Sequence, residues 1–477
     1  MKKLLSNYLY TLSYQIFLVI LPLITLPYVS RVLGADGLGI NAWGYSVSTY
    51  FVMVATLGLT TYGQREIADA NSKSKNLDET FSTIEMASVI TTVFALLLYL
   101  LFISIVPTHR TVLIIYGLSV VAVMFDVSWF FSGTENFKAL ALRNFFIKTI
   151  SVGLIFILVK SRQDLNFYVL IQSGSIILSN LLLWPKVWKR FHFKYFKLTI
   201  VMDHIKGSIW LFFAQVSITF YIVFNKIVLG LFSSDTQLGY FDSADKLLRI
   251  VFSFFIAAST VLMPNIIDQA NSGQIKRLSG MLARVAYFSF LSVSFVASGV
   301  VLMAPYIIHI VFGSKFSGMQ PILAVMAMML LPMSLANVYG NQILVPFKMT
   351  KLYTKSLIIG SGINLAIEVP LIYFWHATGA AVAVVVAETV VLLLQVFYAR
   401  KILSLKQILN IKPVALFASV FGLVGSLGVG CFSESFMVRI TFLFALVLMY
   451  AFISRKLIVK GLVTFGGLLQ HVQNKND

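Results

Sequence analysis

Residues Thr83–Val106 read TIEMASVITTVFALLLYLLFISIV, and Glu85 is the only charged side chain among them. The ~30 Å hydrocarbon core of a bilayer is crossed by about twenty apolar residues in a helix. This stretch therefore spells a transmembrane helix, and it has company. About fourteen such stretches fill the 477-residue chain. Hydrophobic residues make up 58% and charged residues only 12%. A soluble core has no use for so much apolar length, so the expected fold class is an all-α polytopic membrane protein with about 14 transmembrane helices.

The expected spans begin with Leu9–Val29 and Asn41–Thr60, followed by Thr83–Val106, Val112–Phe131, Arg143–Val159 and Phe167–Trp188. A second group of six runs from Ser208–Leu231 to Ile322–Val345, Tyr353–Trp375 and Gly379–Ala399. Pro413–Phe432 and Phe436–Ser454 follow. The first stretch continues to Val29 without a small-residue cleavage site, so it reads as a retained span. The lone Cys431 leaves no intramolecular disulfide or cysteine metal cluster to expect.

The formal net charge of +19 has a topological explanation. With the N-terminus inside, the inner segments hold about 27 Lys and Arg and the outer ones about 8; Lys148 and Lys226 lie within spans. That bias is the positive-inside rule, and it predicts both termini in the cytoplasm and no nucleic-acid partner. The densest basic loop, Lys186 to Lys206, faces anionic lipid head groups in this reading. It also divides the chain into a six-helix lobe (1–190), a basic cytoplasmic linker (191–206), a second six-helix lobe (207–400), and a final part (401–477) with two further helices and a tail.

The halves echo one another. Arg31-Val32-Leu33-Gly34 precedes Leu38-Gly39, and Lys226-Ile227-Val228-Leu229-Gly230 precedes Leu238-Gly239. Ala68-Asp69-Ala70-Asn71-Ser72 is matched by Asp268-Gln269-Ala270-Asn271-Ser272, at the same offset of about 200 residues. Six spans is an even number, so both halves enter the membrane in one direction. Transporters built as parallel repeats carry substrate between their halves by alternating access.

Ionisable groups in lipid are costly, about 2.5–3.5 kcal/mol on insertion scales, and mark functional sites. Lys226 is one turn from the outer end of its span, either lining an anion path or snorkelling to the interface. Arg31 holds the matching place after the first span. Asp245 and Arg249 are four residues apart, on one helix face, and either pair or serve a cavity. Arg65 lies near a span end. Asp126, Glu368 and Glu388 are candidates for coupling to Na+ or H+, or for structural pairing. Pro22, Pro27, Pro264, Pro305, Pro332 and Pro370 read as kinks or hinges. No HExxH or GxxxxGK[ST] occurs, so neither an enzyme nor an ATP-driven pump is expected, and no cofactor.

Several segments together resemble a family. Leu23-Ile24-Thr25-Leu26-Pro27-Tyr28-Val29-Ser30-Arg31-Val32-Leu33-Gly34-Ala35-Asp36-Gly37-Leu38-Gly39 is similar to the amino-terminal signature of Wzx-type polysaccharide flippases. Tyr62-Gly63-Gln64-Arg65-Glu66-Ile67-Ala68, the stretch Phe125–Lys138, and Asn225-Lys226-Ile227-Val228-Leu229-Gly230 resemble later parts of it. The likeness continues through Asn341-Gln342 and Gly379-Ala380-Ala381 to Glu388. It implies the fold of the MOP (multidrug/oligosaccharidyl-lipid/polysaccharide) exporter superfamily, MATE-like: two six-helix bundles and two appended helices. It implies transfer of an undecaprenyl-diphosphate-linked oligosaccharide across the bacterial plasma membrane, for O-antigen or for capsular or exopolysaccharide synthesis. Polysaccharide polymerase and chain-length proteins would be its partners. Family members often carry an aspartate before the lysine, where this chain has Asn225. A lipid II flippase shares the charge logic. A cation-coupled multidrug exporter would want acidic groups where Arg31, Lys226 and Arg249 stand.

Overall fold

The computed structural model describes residues 2–73, 76–272, 275–402, 413–433 and 435–473. Every regular element among the described residues is helical. In chain order they are α1 (Lys2–Thr56), α2 (Leu59–Ser72), α3 (Leu77–Ile105), α4 (Arg110–Val121), α5 (Ser128–Gly133) and α6 (Phe137–Leu158). Then come α7 (Leu165–Leu181), α8 (Trp184–Val187), α9 (Leu198–Phe232), α10 (Asp235–Asn271) and α11 (Ile275–Val311). α12 (Gln320–Ala327), α13 (Leu330–Ala336), α14 (Thr350–Ala399), α15 (Pro413–Phe432) and α16 (Phe436–Gln473) complete the set. Eight segments among the described residues are long and apolar enough to cross a membrane, α3, α6 and Pro413–Gly430 among them. Part of the 401–477 region, residues 403–412, lies outside the described residues, as do the side chains of Pro264 and Cys431.

Two compact units form. One comprises residues 1–242 with 311–316, the other 243–310 with 317–477. The chain passes from the first to the second within α10.

Membrane helices sort their faces opposite to soluble ones. On α3, Phe94, Leu97, Leu101 and Ile105 point outward, while Glu85, Ser88, Thr91 and Tyr99 are buried. Tyr99 donates to the Leu113 carbonyl at 2.6 Å and Thr91 to the Ala55 carbonyl at 2.6 Å. With lipid as apolar as leucine, such hydrogen bonds and close packing hold the bundle rather than water exclusion. Asn76 starts α3 by accepting from the Asp78 and Glu79 backbone N–H groups, and Asp78 and Glu79 sit where the helix dipole favours acids.

Several apolar runs that read as single spans are broken, two of them at equivalent places. The fourth, Val112–Phe131, is α4, a 3₁₀ turn (Ala122–Phe125), an extended Asp126 and then α5. The tenth, Ile322–Val345, is α12, α13 and a π-helix, Asn337–Leu344. Fourth and tenth are equivalent members of the two groups of six, and π turns are frequent at functional positions. The helices carry on through Pro22, Pro27, Pro305 and Pro370. The bends within α1 and α14 fall elsewhere, at Gly34 (φ 73°) and His376 (φ 49°). The arms of α14 fold back on one another: Gln395 Nε2 donates to Ser356 Oγ at 3.2 Å, and a β-carbon on Gly379 would strike the Leu371 carbonyl oxygen at 2.0 Å.

In the first unit one apolar cluster gathers Ile67, Phe81, Ile84, Trp129 and Phe131 where α2, α3 and α5 meet. The second unit's core runs from Ile266 through Phe290 and Tyr339 to Tyr450.

Candidate functional site

In the first unit, Ser233 and Ser234 link α9 to α10, and the Ser234 hydroxyl accepts from the Gln237 N–H at 3.3 Å. Lys226 stands about two turns before this link and Asp242 about two turns after it. The two therefore meet: Nζ to Oδ1 is 2.8 Å, with the side chains 13% and 3% exposed. Lys226 is thus ion-paired. Asn225, next to Lys226, is itself buried.

Glycines let the backbone close around this pair. A β-carbon on Gly39 would lie 1.8 Å from the Asp235 carbonyl oxygen, and one on Gly239 1.7 Å from that of Ala35. Residues 35 and 39 thus cross 235 and 239 with no side chain between them, the equivalent positions of the sequence repeat facing each other. On Gly230 a β-carbon would meet Trp43 at 2.3 Å. Asp235 Oδ1 lies 3.2 Å from His109 Nε2, so the N-terminus of α10 is also tied to the start of α4.

Arg31 is exposed and follows the Pro27 turn of α1, its Cγ 3.5 Å from where a β-carbon of Gly313 would lie. Arg65 is exposed on α2. Asp126 occupies the break in the fourth span, where Oδ1 accepts the Ser128 backbone N–H at 2.9 Å. Glu85, deep in α3, has neither carboxylate oxygen hydrogen-bonded.

At the membrane-flanking end of the same unit, His204 bridges helices. Its Nδ1 is 3.1 Å from the Tyr62 hydroxyl and its Nε2 3.0 Å from Thr83 Oγ1. Burial pushes the imidazole below its ordinary value, against the opposing pull of Asp203. Burial, then Glu66 and Asp203, raises the Tyr62 hydroxyl. The basic loop is anchored here too: Arg190 donates to Asp78 at 3.0 Å, and the His192 N–H to Ser82 Oγ at 2.9 Å.

In the second unit Asp245 and Arg249 form the i,i+4 pair that their spacing allowed, at 2.7 Å. Glu368 and Glu388 sit on opposite arms of α14, both buried. Both Glu368 oxygens lack a hydrogen bond, as does the amide nitrogen of Asn364, one turn earlier on the same arm. Gln342, on the π-helix, is likewise buried with both amide atoms unbonded. Asn364 escaped the sequence reading because a neutral amide carries no charge signal, although it stands at helical spacing from Glu368; Gln342 entered it only through the family likeness.

A chain of apolar helices with polar groups turned inward, eight of them long and apolar enough to cross a membrane among its described residues, defines a polytopic membrane protein. It belongs to the polysaccharide biosynthesis protein family, whose pattern it matches over residues 4–270. It is 23% identical over 390 residues, 80% of this chain and 93% of the relative, to a protein named as an O-antigen transporter of Escherichia coli (strain K12). Over 187 residues, 39% of each chain, it is 23% identical to Agl15 of Haloferax volcanii, named as a flippase of low-salt glycan biosynthesis. Among solved structures it shares the fold of a lipid II flippase, MurJ, in an inward closed conformation, with TM-score 0.71 at 15% identity, covering 94% of this chain and 100% of the other. An inward-facing MATE-family transporter of the MOP superfamily follows at TM-score 0.61 and 12% identity, covering 80% and 97%.

Proposed function

We propose that this protein is a flippase that carries lipid-diphosphate-linked oligosaccharide repeat units, on undecaprenyl diphosphate, from the cytoplasmic to the outer leaflet of a bacterial plasma membrane. The product would feed O-antigen or capsular or exopolysaccharide synthesis, with a polymerase and chain-length proteins downstream. The observation that carries the reading is the buried Lys226–Asp242 pair in a chain of the polysaccharide biosynthesis family. The O-antigen and glycan-flippase names of its relatives support it.

The chemistry is an exchange of partners. A diphosphate entering the polar interior offers Lys226 several anionic oxygens in place of the Asp242 carboxylate, and charge-assisted bonds are the strong ones where water is scarce. When the diphosphate leaves, Asp242 recaptures the ammonium. Arg31, Arg65 and Arg249 would guide the anion along its route, Arg249 released from Asp245 in the same way. The lipid tail stays in the bilayer throughout. The Lys and Arg bias supports cytoplasmic termini. With no ATP machinery in the sequence, the driving force is an ion gradient or the consumption of product. Glu368 beside Asn364, with Glu388 and Asp126, is where H+ or Na+ would bind.

Leaflet accessibility of a lipid-diphosphate oligosaccharide in proteoliposomes tests this. Protein-dependent transfer, lost in Lys226→Ala and Arg31→Ala, is the expected result. Transfer of lipid II with none for repeat-unit glycans would assign the cargo to the alternative flippase class. Gradient-driven export of organic cations alone would overturn the flippase reading.

A further inference from the structure

In the second unit α11, α12 and the last two helices line a cavity of about 750 Å3, within the ~300–1,000 Å3 range of ligand pockets. Its lining joins apolar Pro305 and Ile310 to Tyr306, His309, Gln320 and Arg439. Ile310 is 69% exposed and His309 beside it is exposed too, whereas Arg439 is buried, so the open side of the cavity carries one apolar and one polar side chain.

Arg439 decides what such a cavity takes. It lies in the first turn of α16, where Met437 and Ile440 face outward, yet it is only 3% exposed. Nε and Nη2 donate to the Ser433 carbonyl at 3.0 and 2.8 Å, Nη2 also to Gly430 at 3.0 Å, and Nη1 to Leu302 at 2.7 Å. These bonds close the C-terminal end of α15 and occupy four of the five N–H groups of a guanidinium. Every hydrogen-bond acceptor is a neutral carbonyl, and the Tyr306 ring lies 5.9 Å from the guanidinium carbon. Among the described residues no carboxylate pairs with Arg439. A glycine or asparagine would also end a helix, and burying a cation is costly, so an arginine here asks for a further role.

We propose that this cavity is a resident-lipid site, in which Arg439, with His309 and Gln320, holds the phosphodiester of an anionic glycerophospholipid whose chains leave past Ile310. Basic pockets between transmembrane helices hold anionic head groups by the same chemistry. The apolar part of the lining, Pro305, Ile310 and Leu427 among it, favours a lipid over free phosphate, which has no chain to lay there. The inference stands on the second unit alone and does not depend on the flippase reading; the lipid is a companion of the fold, not its cargo.

The test uses the full chain, extracted with its native lipids into polymer nanodiscs and washed into detergent. Retained lipid is then quantified by mass spectrometry against phosphatidylethanolamine. Gln320→Glu and His309→Glu place an acid in the cavity while leaving every hydrogen bond of Arg439 in place. Phosphatidylglycerol should be retained by the wild type, resist washing with millimolar inorganic phosphate, and fall about tenfold in each variant, the size of one lost charge-assisted hydrogen bond. Equal phosphatidylglycerol in all three proteins would overturn the proposal. So would equal retention of phosphatidylethanolamine, displacement by inorganic phosphate, or a lipid-diphosphate glycan as the retained species.

Discussion

Exchanging the charges of Lys226 and Asp242 separates a structural bridge from a working one. At 2.8 Å the gross Coulomb attraction is about 6 kcal/mol for an effective dielectric constant near 20, much of it offset by desolvation. Removing one partner of a buried pair strands the other and costs about 3–5 kcal/mol. Lys226→Met and Asp242→Asn should each destabilise by about that much. The double variant Lys226→Met with Asp242→Asn should recover most of the loss, the cycle isolating their coupling. The exchanged protein, Lys226→Asp with Asp242→Lys, keeps a pair of opposite charges and should unfold within about 1 kcal/mol of the double variant. Transport should separate from stability: the exchange moves the ammonium to α10 and should abolish glycan transfer. Unfolding in detergent and the leaflet assay in proteoliposomes read the two quantities on the same preparations. Wild-type transfer by the exchanged protein would refute the idea that the lysine's position serves the substrate. Equal stability of all four proteins would refute the energetic coupling.

Gly239→Ala and Gly39→Ala should each destabilise by about 1–3 kcal/mol or more, because the new methyl meets a backbone oxygen that has no rotamer to yield. Gly362→Ala, with nothing within 4 Å, should be neutral or stabilising by up to about 1 kcal/mol; thermal unfolding compares the three. His204 has a depressed folded value, so its contribution is complete above the ordinary value of 6.5 and is lost as pH falls through the folded value. Unfolding followed from pH 7.5 to 5 should therefore show a slope that His204→Gln flattens. Glu368→Gln should remove the dependence of transfer on an H+ or Na+ gradient while leaving exchange at equilibrium intact. Unchanged gradient dependence would exclude Glu368 as the coupling group.

Class and architecture were legible because lipid imposes length: the spans follow from runs of about twenty apolar residues. The repeat was legible in Leu38-Gly39 and Leu238-Gly239, and the structure gives the physical reason, since neither glycine can take a side chain where the helices cross. Asp245 and Arg249 were legible as a pair because helical spacing is local. Lys226 and Asp242 were not, because their meeting depends on where α9 ends and α10 begins. The breaks at Asp126 and Asn337–Leu344 were hidden inside apolar runs, where hydropathy cannot tell an α-helix from a π-helix. Proline was a poor guide to bending in α1 and α14, where Gly34 and His376 hold the positive φ angles. Arg439 was overlooked because a single arginine just inside a span resembles an ordinary interface anchor.

The crossing of Gly39 with Gly239 also sets a clock for biogenesis. The notch at Gly39 leaves the ribosome with its partner still 200 residues away in the sequence. At 5–20 residues per second that is an interval of roughly 10–40 s. Throughout it the second arm of α1 must wait in the bilayer with a bare stripe of backbone exposed. That surface is one an insertion chaperone, or a neighbouring helix in the wrong register, could occupy before synthesis reaches α10.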